Sequence, residues 1–92
     1  MEESFNCACG KKIRSRRRSL GLTQTKLGES VGVTFQQIQK YEKGTNGVSA
    51  EKLLKIAKTL KVNVLYFYNN YRPNFIVMEE NDKSSSWKNM EW

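Results

Sequence analysis

Apolar side chains recur along this chain at helical spacing in a series of short stretches. The densest is Gln24–Lys43, QTKLGESVGVTFQQIQKYEK: Leu27 and Val31 share one helix face, Ile38 and Tyr41 share another, and Val33 falls between them. The pattern predicts two short helices folded across a tight turn, with their apolar faces inward. Gly28 sits at the expected crossing, where the lack of a Cβ lets two backbones approach. Gly32 ends the first helix as a residue free to take positive φ. Thr23 caps that helix at Gln24. Thr34 caps the second, and Gln37 three residues on completes a T-x-x-Q capping box.

Upstream, Ile13 and Leu20 are seven apart and so share a face of a first helix, which the pattern starts at Gly10 and ends at Gly21. Lys11, Lys12, Arg14, Arg16, Arg17 and Arg18 are too many to face a core, so most are read as solvated or phosphate-facing. Downstream, Gly44-Thr45-Asn46-Gly47 is a loop, and Ser49 caps a helix whose core stripe is Leu53, Ile56, Ala57 and Leu60. Its opposite face, Glu51, Lys52, Lys55 and Lys58, reads as solvated. Asn63 caps a short fifth helix carrying Val64, Leu65, Phe67 and Tyr68. The expectation is an all-α, compact five-helix bundle over residues 10–71, with a mobile arm at 1–9 and a tail at 72–92. Arg72-Pro73 breaks any helix. The run Phe75–Met78 reads as a strand, a docking segment or a dimer arm, and the rest of the tail is polar.

Charge sharpens this picture. The 92 residues carry a net +7, and residues 10–61 hold 13 basic and 3 acidic side chains against −2 before them and −1 after. Such a basic domain suits a polyanionic partner, although a lysine-rich soluble surface has the same signature. One small domain of this length lies near the lower limit of independent stability, so oligomerisation is a natural source of further burial. No apolar run approaches the ~18 residues of a membrane span, and the acidic start MEES reads against a secretory signal, which points to the cytoplasm. Cys7 and Cys9 form C-x-C with no histidine anywhere in the chain, so no metal site and no cofactor are expected. Bridging between two copies stays open, with a reducing cytosol against its disulfide form. Without a histidine, or a Ser or Cys beside a recognisable base, the chain does not read as an enzyme.

The inward apolar positions, the small residue within the helix and the turn glycine are similar to the DNA-binding helix-turn-helix. The chain most closely resembles its lambdoid-repressor or Xre (Cro/CI-like) type. The resemblance runs from about Gly10 to Tyr68, through GKKIRSRRRSLGLTQ, VTFQQIQKYEKGTN and VSAEKLLKIAKTL. It implies a lambda-repressor-like bundle that binds DNA, with an arginine matching Arg17 paired to a glutamate matching Glu42 on the recognition helix. It also implies phosphate binding at Gln24, a role that helix N-terminal N–H groups favour independently. The family uses the loop matching Thr45 and Asn46 for backbone contacts.

A single helix fits the major groove, where each base pair shows a distinct donor and acceptor pattern. With Ile38 and Tyr41 inward, Phe35, Gln36, Gln39 and Lys40 are the base-reading candidates. Glutamine suits adenine, lysine suits guanine, and Phe35 packs on thymine methyl groups or folds back over the core. The family often has glutamine where Phe35 stands. Thr34, Lys43, Thr45 and Asn46 flank the helix as phosphate contacts, with Arg14, Arg16 and Arg18 adding long-range attraction. The function expected is sequence-specific regulation of transcription, most simply repression, by a homodimer on a palindromic operator in a bacterial or phage-type nucleoid. Tyr66, Tyr68, Tyr71 and Phe75–Met78 are candidates for the dimer interface, or for a lid on the bundle. The alternative is an antitoxin-like or adaptor protein whose tail binds a protein partner.

Overall fold

Helix α1 runs Phe5–Ser19, α2 Gln24–Val31, α3 Phe35–Lys43 and α4 Ala50–Leu60, and a 3₁₀ turn, Val64–Phe67, follows, in a computed structural model that describes residues 3–69 and 71. Among the described residues there is no strand, and no helix is long and apolar enough to cross a membrane. The readings for Phe75–Met78 and for the tail's protein partner fall outside these residues.

The chain therefore has four α-helices among its described residues where five were expected. Asn63 does cap the last segment, its Oδ1 accepting from Leu65 N at 2.8 Å. Tyr66 N and Tyr68 N then bond three residues back, to Asn63 O and Leu65 O, which winds the segment as a 3₁₀ turn. Only Phe67 is fully buried there, so no second apolar face exists to extend an α-helix.

Helix α1 begins five residues before the expected Gly10, and residues 5–9 are helix rather than a mobile arm. Ser4 Oγ accepts from Cys7 N at 3.1 Å, and Phe5, Cys9 and Ile13 follow at four-residue steps along one face. Gly10 is an interior residue at a helix crossing: a Cβ there would lie 2.6 Å from Glu42 O in α3. Leu20, expected beside Ile13, is instead 36% exposed, because α1 stops at Ser19 and Leu20 leaves its periodicity. The half-buried Leu22 packs on the core near this end of α1.

The caps at Thr23, Thr34 and Ser49 all form, each accepting from the backbone N–H three residues on at 3.0–3.2 Å. The structure thus contains the Thr34 half of the capping box. Gly28 makes its close approach to the turn rather than to a helix, since a Cβ would stand 2.6 Å from Val33 O. Gly32 has φ 80°, a conformation costly for a side-chain-bearing residue. Ile13, Leu27, Ile38, Ile56, Leu60 and Phe67 are fully buried in one core that joins all four helices to the 3₁₀ turn.

Three basic residues read as solvated or phosphate-facing do something else. Arg16 Nε donates to Leu60 O at the end of α4 (2.9 Å), and Lys52 Nζ donates to Val31 O at the end of α2 (3.0 Å). Lys12 Nζ donates to Tyr66 O in the 3₁₀ turn (3.2 Å) and to Asn69 O just past it. Each cation sits where unpaired carbonyls and the negative end of a helix coincide.

Candidate nucleic-acid interface

Residues of an α-helix advance about 100° each, so Phe35, Gln36, Gln39, Lys40 and Lys43 occupy one arc of about 140° on α3. Ile38 and Tyr41, both buried, occupy the far side, and the buried Glu42 lies just outside the Phe35 edge of the arc. The amphipathic pattern thus gives the nine-residue helix one polar face on the side away from the core. Gln36, Lys40 and Lys43 are exposed, and Gln39 is half-buried. Phe35 is 43% exposed and does not fold back into the core.

Glu42, the one acidic residue of α3, is turned away from this face and neutralised. Arg17 Nε meets Glu42 Oε2 at 2.6 Å and Arg17 Nη2 meets Oε1 at 3.0 Å, a bidentate pair with both residues buried. Arg17 Nη1 donates to Leu22 O (2.8 Å), so the guanidinium ties α1, α3 and the α1–α2 connection together. Gln24 Nε2 donates to Glu42 Oε1 at 3.0 Å. The Gln24 amide therefore belongs first to this buried cluster, and its half-buried side chain is held at the front edge of α3. The outward arc is left with two cations and no carboxylate.

The flanking candidates stand at the two ends of α3. Thr34 is exposed at its N-cap. At the other end, Thr45 Oγ1 donates to Lys40 O (3.2 Å), and the N–H groups of Thr45 and Asn46 point at the same carbonyl (3.1 and 3.4 Å). Both side chains are exposed. Cys7 backs this corner, its Sγ 4.0 Å from Lys43 O and in contact range of Gly44. No sequence pattern singled out that contact, because it joins residues 36 apart.

On α1, Lys11, Arg14 and Arg18 line one exposed face with Ser15, apart from the inward Lys12, Arg16 and Arg17. Lys11 pairs with Glu3 at 2.5 Å. The tyrosines offered for a dimer interface divide. Tyr68 stacks on Phe5 with ring centroids 4.8 Å apart, Tyr71 meets Phe5 edge-on at 5.3 Å, and Tyr66 packs against the core. Among the described residues no group of three or more His, Cys, Asp or Glu side chains could hold a metal ion.

Two capped helices across a glycine turn, the second with a cationic outward face and its carboxylate held behind, define a helix-turn-helix protein. The chain belongs to the helix-turn-helix family HTH_3, which matches residues 13–67, in accord with the Xre-type resemblance. An uncharacterized HTH-type transcriptional regulator of Sinorhizobium medicae (strain WSM419) is 59% identical over 59 residues, covering 64% of this chain and 42% of that protein. This chain thus matches less than half the length of that relative. Among solved structures, the P22 c2 repressor in complex with a synthetic operator is 34% identical with a TM-score of 0.62, covering 64% of this chain and 89% of that one. The clp gene regulator ClgR of C. glutamicum is 28% identical with a TM-score of 0.70, covering 73% and 87%. All three are named as regulators or repressors, not as enzymes.

Proposed function

We propose that this chain is a sequence-specific double-stranded DNA-binding transcriptional regulator that acts as a repressor, with α3 in the major groove. The carrying observation is the single outward arc of Phe35, Gln36, Gln39, Lys40 and Lys43 on a helix whose only acid is buried against Arg17. Gln36 and Gln39 match adenine edges and Lys40 matches guanine, while Phe35 stands exposed for thymine methyl groups. Thr34, Lys43, Thr45 and Asn46 lie at the two ends of the same helix, placed for phosphate. Gln24 has one amide N–H beyond its bond to Glu42, a donor suited to a phosphate oxygen.

A module of this size buries too little surface for high specificity alone. The working form is a homodimer on a palindromic operator, with recognition helices about 34 Å apart, one DNA turn. Its place of action is the cytoplasm, at the nucleoid. The similarity to a repressor solved on its operator supports this reading.

Alanine at the two classes of contact tests the assignment. Gln36→Ala or Lys40→Ala should cost ~1–3 kcal/mol on the cognate site and relax preference there, while Gln24→Ala weakens all duplexes about equally. Equal weakening of cognate and random DNA by Gln36→Ala would remove it from base reading.

A further inference from the structure

Leu54 and Leu65 are the most exposed large apolar side chains among the described residues, at 61% and 62%. Leu54 lines a groove of about 450 Å³ between α4 and the 3₁₀ turn, with Ala57, Val62 and Val64 as its apolar floor and Lys55 and Lys58 on its rim. Lys61, exposed beside Val62, adds a third cation. Apolar surface gathered in this way invites a cover. A second copy of the same face is a poor one, because it would set three lysines against three lysines across an apolar contact. Glu51 lies 3.9 Å from Lys55, but it is exposed and leaves Lys58 and Lys61 uncompensated.

The chain itself contains the complementary pattern. Phe75-Ile76-Val77-Met78 is an uninterrupted apolar run, and Glu79, Glu80 and Asp82 follow it immediately. Apolar floor and basic rim are thus matched by an apolar run and an acidic flank in the same order of size. The connection supplies reach. Tyr71 lies seven residues beyond Val64, four of the intervening stretch's residues being wound in the compact 3₁₀ turn. From Tyr71 to Phe75–Met78 an extended chain reaches about 14–24 Å, and Arg72-Pro73-Asn74 supplies residues suited to reversing direction.

We propose that Phe75–Asp82 of the same chain docks in the α4 groove, its apolar run covering Leu54, Val62 and Val64 and its carboxylates facing Lys55, Lys58 and Lys61. The docked segment offsets part of the domain's positive charge and covers the exposed Leu54. Methyl NMR of the full 92-residue protein tests this directly. Ile76→Ser with Val77→Ser should shift the Leu54, Val62 and Val64 methyl resonances, leave those of Leu27 and Ile38 in place, and do so independently of protein concentration. Lys55→Glu with Lys58→Glu should reproduce the shifts, and adding Glu79→Lys with Glu80→Lys should reverse them. The tail substitutions leave the bundle's core intact, so unmoved groove methyls would overturn the proposal. Failure of the charge reversal to restore the spectrum would contradict it, and so would shifts that fade on dilution as the sedimentation coefficient falls, since a second copy would then fill the groove.

Discussion

A carboxylate left alone among buried residues costs several kcal/mol, so Glu42 is tolerable only because three donors reach it. Arg17 supplies two and Gln24 the third. Removing either member of the ion pair leaves the other charge buried: Arg17→Ala or Glu42→Ala should destabilise the domain by about 3–5 kcal/mol in urea unfolding. Arg17→Lys should not rescue it, since a lysine cannot make the bidentate pair and reach Leu22 O together. Near wild-type stability of Arg17→Lys would refute the geometric argument. The pair was legible through the family resemblance, which relates positions 25 apart that no periodicity connects. The inward turns of Lys12, Arg16 and Lys52 were not legible. A long basic side chain at the edge of a helix face points to water or to a carbonyl depending on which helix end packs beside it.

The two cysteines differ in the same local way. Burial pushes the Cys9 thiol up to about 11, with Lys12 acting in the opposite sense, whereas Cys7 is only half-buried. A raised thiol pKa favours the neutral folded form. Its contribution to stability is therefore complete below pH 9 and is lost as pH rises toward 11. A thiol reagent at neutral pH should label one site per chain, Cys7, and reach Cys9 only on unfolding. Equal labelling of both in the folded protein would contradict the α1 packing.

Among the elements, α2, α3 and α4 are legible in the sequence, because apolar period and cap residue agree in all three and a turn glycine ends α2 and α3. Helix α1 is longer than its pattern suggests. Cys9 belongs to its inward stripe with the half-buried Phe5 and the buried Ile13, and a stripe of only three residues spread over nine shows little periodicity by itself. Four apolar residues in five suggest a helix at Val64–Tyr68, yet a single one of them is fully buried and the segment winds as a 3₁₀ turn. Lys61 marks a third irregularity. It ends α4 in the left-handed region at φ 61°, where glycine usually stands. Lys61→Gly should stabilise the domain by about 0.5–1 kcal/mol through relief of that strain, visible as a melting temperature several degrees higher. A lower melting temperature would show that the lysine side chain contributes more than its backbone costs.

At the scale of the molecule, the domain divides its positive charge into two kinds. Lys12, Arg16, Arg17 and Lys52 are spent on carbonyls and on Glu42. Lys40 and Lys43 on α3, and Arg14 and Arg18 on α1, remain outward. The second group is available to a polyanion, and its attraction should fall steeply with salt while base reading persists. The outward arc of α3 was legible from sequence because a helix nine residues long with two inward apolar positions has only one free face. The partner contacts that make a dimer were not, since they depend on a second copy.

Selection of bound sequences from a random duplex pool, with affinity then compared on the winner and on a scramble across salt concentrations, tests the central claim most directly. The expected result is a palindrome with half-sites about ten base pairs apart, bound ~10³-fold or more tighter than the scramble. Absence of enrichment, with all binding lost as salt rises, would contradict it and leave α3 as a charged surface without a sequence to read.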